Sequence, residues 1–128
     1  MIRPRTMVIA CSLSFLIGVG ATWAQQQVQA TRREPQFEND HVRAWKSIIM
    51  PNQPLNQHRH DHGRALIALT DGQLKVVDQN GRTLTTYNWE RGKAYWLGPD
   101  PAGQTHADVN ETSRPIEVIV VELKRDNQ

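Results

Sequence analysis

The chain has 128 residues, enough for one hydrophobic core and too few for two comfortable ones. It carries 15 Lys+Arg against 13 Asp+Glu, a net charge of +2 with histidine neutral. The two signs are interspersed along the chain with no basic patch, which excludes nucleic acid as an expected partner.

Residues 1–24 differ in character from everything after them. Arg3 and Arg5 give a positive start, and Met7 to Val19 is a mostly apolar run. Ala21-Thr22-Trp23-Ala24 then sets small residues where a signal peptidase reads, so this segment has the layout of a secretory signal. The apolar run is shorter than the ~20 residues a membrane-spanning helix needs, which favours a cleaved signal over a retained anchor. Cys11 sits in the middle of the run, not at its end, which argues against lipidation. It is also the only cysteine, so the exported part is expected to fold without a disulfide. Without Arg3 and Arg5 the remaining 13 Lys+Arg balance the 13 Asp+Glu. The expected destination is a periplasm or the cell exterior, with no membrane contact after signal removal.

Residues 25–36, Gln-rich and then Thr31-Arg32-Arg33-Glu34-Pro35, have no apolar period and are expected to be a flexible tether or an extended lead-in to the domain. From Phe37 to Arg125 the pattern is that of one all-β domain. Val42, Ala44 and Ile48-Ile49-Met50 make an extended run stopped by Pro51-Asn52. Ala65–Thr70 is a short apolar run ending at Asp71-Gly72, a hairpin-turn dipeptide. Leu74, Val76 and Val77 lead into Asn80-Gly81, the strongest two-residue hairpin signal, and Thr83–Trp89 returns rich in β-branched and aromatic residues. Ala94–Leu97 is a further strand. Residues 98–103 (Gly-Pro-Asp-Pro-Ala-Gly) form a loop that no helix could cross, and Ile116–Leu123 closes the chain as an apolar strand. Seven or eight short strands without a helical period predict a sandwich or small barrel, an economical form for so short a chain because closure leaves few open edges.

The chemistry concentrates in histidines: His58, His60 and His62, then His106. Along a strand side chains alternate, so His58 and His60 share a face, and His62 joins them if the strand continues. Two imidazoles on one face met by a third from another strand can fill three corners of a coordination sphere for Zn, Fe, Cu, Ni or Mn. The same spacing also suits a hydrogen-bonded polar strand edge that binds nothing. Asp108 shares the alternation phase of His106 and is placed to orient its imidazole from behind. Trp45, Trp89, Tyr95 and Trp96 suit a barrel core or the wall of a ligand pocket. His41 is expected to be exposed, and Asp61 to alternate away from the histidines.

Over roughly Phe37 to Lys124 the chain resembles the cupins, small β-barrels with the motifs G-x5-H-x-H-x3,4-E-x6-G and G-x5-P-x-G-x2-H-x3-N. The first is similar to Asn52 to Gly72, with Asn52 at the leading glycine, His58 and His60 at the paired histidines and Gly72 at the closing glycine. Asn tolerates the left-handed backbone region nearly as glycine does, so that departure is mild. The second is similar to Pro101–Asn110, with Gly92 leading, three extra residues before Pro101, and His106 and Asn110 in place. The resemblance implies a single jelly-roll barrel holding a divalent metal through His58, His60 and His106. The family's glutamate falls at Arg64 or Ala65, and neither is a carboxylate. Loss of that acid leaves metal charge uncompensated and favours an anionic ligand. A guanidinium at Arg64 directed inward would repel a cation, yet would also serve to clamp a carboxylate or phosphate. Asn110 is expected to hold its loop by hydrogen bonds to backbone.

Two function classes follow. One is a metal-dependent dioxygenase or isomerase acting on a small anionic molecule; the other is a metal-free barrel that captures a small ligand or serves as an accessory protein. Pairing into a homodimer through sheet edges, with Ile116–Leu123 taking part, is compatible with either.

Overall fold

A computed structural model describes residues 29–126, and the expected signal peptide, with Cys11, lies outside the described residues. Nine strands and no helix are present among them: β1 (Arg32–Glu38), β2 (Val42–Ile49), β3 (Leu55–His58), β4 (Arg64–Ala68), β5 (Gly72–Asp78), β6 (Thr83–Trp89), β7 (Ala94–Leu97), β8 (His106–Val109) and β9 (Ile116–Leu123). The pairing is nested and antiparallel, β5 with β6, β4 with β7, β3 with β8 and β2 with β9, as if one long hairpin had been rolled up. The result is a jelly roll of two sheets, β1-β2-β9-β4-β7 and β3-β8-β5-β6. Period-two alternation aims Trp45 and Ile49, Ile116, Val118 and Val120, and Leu66 and Ala68 into one core with Leu74 and Trp89 of the facing sheet.

The sheet begins at Arg32, not at Phe37. Residues 32–36, expected to be a tether or lead-in, belong to β1 and pair with β2, and the Thr31 hydroxyl accepts from the Met50 N–H (2.8 Å) and donates to the Gln53 carbonyl (2.5 Å). Composition hides this strand because none of its residues is buried: Arg33 and Pro35, opposite the buried Ser47 and Trp45, are both exposed. Backbone pairing at an edge, not apolar burial, holds it, and a register shift between Pro35 and Phe37 accommodates the proline. The strand Ile116–Leu123 is likewise not an edge. It is bonded by β2 on one side and β4 on the other, so it has no free backbone for pairing with a second molecule.

The motif turns have the backbone that their residue types permit. Asn52 has φ 55°, and Gly92 and Gly103 have φ 83° and 73°, all left-handed. Gly72 is required for room: a Cβ there would lie 2.7 Å from Cγ1 of Ile116. Asn110 is fully buried and ties three segments together. Its Nδ2 donates to the carbonyls of Ile49 (2.9 Å) and Arg114 (2.7 Å), its Oδ1 accepts from the Thr112 N–H (2.9 Å), and its backbone carbonyl accepts from Asn52 (2.8 Å). These bonds fix the ends of β2, β8 and β9, and with them the register that places the histidines.

Candidate metal centre

His58 ends β3 and His106 begins β8, and the β3–β8 register sets them directly opposite each other. His60 lies beyond the end of β3, in the segment leading to β4, and turns back beside them. The ring centroids are 4.4 Å (58–106), 5.0 Å (58–60) and 5.3 Å (60–106) apart. One nitrogen from each ring falls within 4.8 Å of the other two.

Each ring is held from behind through Nδ1. His58 Nδ1 is 2.6 Å from the Asn56 carbonyl, which can only accept, so Nδ1 carries the proton and Nε2 keeps its lone pair. His60 Nδ1 bonds to the Glu122 carboxylate on β9, and His106 Nδ1 lies 3.1 Å from Asp100 Oδ2. The same Asp100 oxygen accepts the His60 backbone N–H at 2.7 Å, and Asp100 N–H donates to the His60 carbonyl at 2.8 Å, locking the two loops together. Arg59 adds a second clasp, its Nη1 donating to the carbonyls of Pro101 (3.1 Å) and Gln104 (3.0 Å). Burial pulls the pKa of His58 and of His106 down to about 4, so both imidazoles are neutral at pH 7. Among the described residues, the buried His58 Nε2 has no hydrogen-bond partner.

The other sequence candidates are placed differently. His62 does not join the cluster. Strand alternation ends at His58, the chain bends at residues 61–62, and His62 Nδ1 pairs with Asp126 at 3.2 Å near the surface. Asp108 does not sit behind His106 as the alternation phase suggested. Its carboxylate is on the Nε2 side, 3.9 Å from His106 Nε2 and 3.8 Å from His58 Nε2. Arg64 points inward: it is buried, lines a cavity of about 370 Å³ together with His60, His106 and Asp108, and donates to the Gly98 carbonyl at 3.0 Å. Asp61 pairs with Arg59, and His41 is exposed.

Three contributors escape sequence reading. Asp100 lies in a proline-rich loop with no pattern to mark it. Arg33 lies on the hidden β1, where its guanidinium covers the Trp45 ring at 4.8 Å and reaches the cavity mouth. Glu122 did leave a signal: Ile116, Val118 and Val120 are the inward phase of β9, and Glu122 continues that phase as a charge aimed at the interior. The aromatic residues divide between roles, Trp45 and Trp89 being buried in the core while also walling the cavity, and Trp96 standing 63 % exposed at its mouth.

No protein-family model matches the chain, and no curated protein matches it. Solved structures do. A cupin domain from Bordetella pertussis Tohama I is similar with TM-score 0.64 and 21% identity, over 75% of this chain and 95% of that one. A Klebsiella pneumoniae protein with a double-stranded β-helix domain is similar with TM-score 0.55 and 20% identity, over 75% and 78%. An RmlC-like cupin from Methanocaldococcus jannaschii gives TM-score 0.55 and 14% identity, over 77% and 84%. At these identities the likeness is one of architecture, that of a cupin-type double-stranded β-helix, and in this chain it carries a three-histidine cluster.

Proposed function

We propose that this chain is an exported cupin that holds one divalent metal through His58, His60 and His106 and binds a small anionic molecule beside it. The observation that carries the reading is the orphaned Nε2 of His58. A buried acceptor without a partner is costly, and here it is one of three imidazoles whose other nitrogens are all tied to acceptors. Tethering through Nδ1 with Nε2 left bare is how proteins present imidazole to a metal. The donor set is neutral nitrogen, suited to Fe, Mn, Zn, Ni or Cu.

The inward guanidinium of Arg64 is not an obstacle to a cation. Arg64 and Arg33 are met by three carboxylates, Asp100, Asp108 and Glu122, so the surroundings of the histidines carry more negative than positive charge. A divalent ion reverses that balance and leaves room for one anionic ligand. Arg64, with its head at the cavity wall, is the group to receive it. Trp45, Leu66 and Trp89 on the same wall suit an apolar body on that anion. When bound, the metal would supply Lewis-acid or oxygen-activating chemistry. The chain's own residues orient the ligand at Arg64 and exclude water with the aromatic wall.

The test is metal analysis of the purified protein after expression with Fe, Mn, Zn, Ni and Cu supplied. About one equivalent of a single metal is expected, with His106→Ala abolishing retention while the β-sheet circular dichroism persists. Less than about 0.1 equivalent in the wild type favours the metal-free ligand-binding barrel instead.

A further inference from the structure

One largely enclosed carboxylate, with Arg33 and Arg64 among its counter-charges, takes no part in tethering the three histidines. Asp108 follows His106 by one pleat of β8, so both side chains enter the same inward face. Its side chain is 16 % exposed, and among the described residues its carboxylate makes no hydrogen bond. An enclosed carboxylate is ordinarily satisfied by donors or by a cation. What it faces instead is the bare side of the histidine cluster: Oδ2 is 3.8 Å from His58 Nε2 and Oδ1 is 3.9 Å from His106 Nε2. Those two nitrogens carry no proton to give, since both rings hold theirs on Nδ1.

Such spacings are too long for hydrogen bonds and too short for indifference. Ligand atoms bound to one ion at ~2.0–2.2 Å lie about 3–4 Å from one another, and the two Asp108 distances, one from each carboxylate oxygen, fall at the long end of that range. The motif resemblance expects a carboxylate from the strand that holds Arg64 and Ala65, and that strand has none. Resting on the three-histidine reading, we propose that Asp108 is the fourth protein ligand of the metal, a carboxylate delivered from β8 in place of the one absent from β4. It makes the donor set three nitrogens and one anionic oxygen. It also gives the ion a protein counter-charge that Arg64 cannot supply.

The test is metal affinity and coordination, read without any substrate. Metal-free full-chain protein is titrated with Zn(II) against a chromophoric chelator, and the visible spectrum of the Co(II) form is recorded. Asp108→Asn keeps the volume and removes the anionic donor; Asp108→Ser is a second, smaller variant should the first fold poorly. Loss of about 10–100-fold in Zn(II) affinity with a shifted Co(II) spectrum is expected, while His62→Gln leaves both unchanged. Wild-type affinity and a superimposable Co(II) spectrum in a folded Asp108 variant overturn the ligand role and leave the three histidines standing. Failure of the wild type to bind either ion overturns both readings at once.

Discussion

His58 and His106 face each other across the β3–β8 ladder with ring centroids 4.4 Å apart, yet their Nδ1 atoms are held by acceptors from different places. One acceptor is the Asn56 carbonyl within β3, the other the Asp100 carboxylate in the loop before β8. The register fixes where the rings meet, and the acceptors fix which nitrogen each ring presents. His60, off the strand, has no register to rely on. Its position depends on Asp100 at its backbone and Glu122 at its ring.

Glu122→Gln therefore separates orientation from folding. Glutamine preserves the length of the side chain but removes the charge that fixes the His60 proton on Nδ1. Metal affinity is expected to fall about 10–100-fold by chelator competition, with His58 and His106 still supplying a weaker site. Unchanged affinity would show that His60 is held by its backbone bond alone.

How much of this was visible in the residues depends on what holds each piece. β6 spans Thr83–Trp89, as its β-branched run and the preceding Asn80-Gly81 turn predict. β1 was hidden because it buries none of its residues, Arg33 and Pro35 included. The histidines could be read from motif spacing, which is local. Their supports could not be tied to them, because Asp100 carries no pattern and Glu122, though marked as an inward charge on β9, reaches the site only through the rolled-up pairing of β2 with β9 and β3 with β8. His62 shows the limit of periodicity: alternation predicts a face only while the strand lasts.

Acid should loosen the metal-free protein. His58 and His106 titrate at about 4 in the folded chain against an ordinary value of 6.5, because burial disfavours the charged rings. Between those values the unfolded chain takes up protons that the folded one refuses. Stability contributed by the two neutral rings is thus complete above about pH 6.5 and is lost as pH falls toward 4. Asp108, pushed up by burial, works in the opposite sense because it accepts a proton more readily when folded. The urea midpoint with chelator present should drop from pH 7 to pH 4.5, and His58→Gln should flatten that slope. A wild-type midpoint independent of pH over this range would contradict the burial argument.

Asn52 offers a test of the turn chemistry that is free of packing effects. It is exposed, and its φ of 55° lies where the motif has glycine. Its N–H donates to the Asn110 carbonyl, and any residue but proline can do the same. What distinguishes side chains here is the clash of Cβ with the backbone in the left-handed region, which Asn tolerates better than Ala, and Ala better than a β-branched residue. Asn52→Gly should change unfolding stability by less than about 0.5 kcal/mol, and Asn52→Ala should lower it by about 1 kcal/mol. Asn52→Val should lower it further, each read from urea midpoints at constant m-value. Equal midpoints for the Gly, Ala and Val variants would mean that the turn relaxes to a negative φ, and that the left-handed backbone is not what anchors the entry to the histidine-bearing strand.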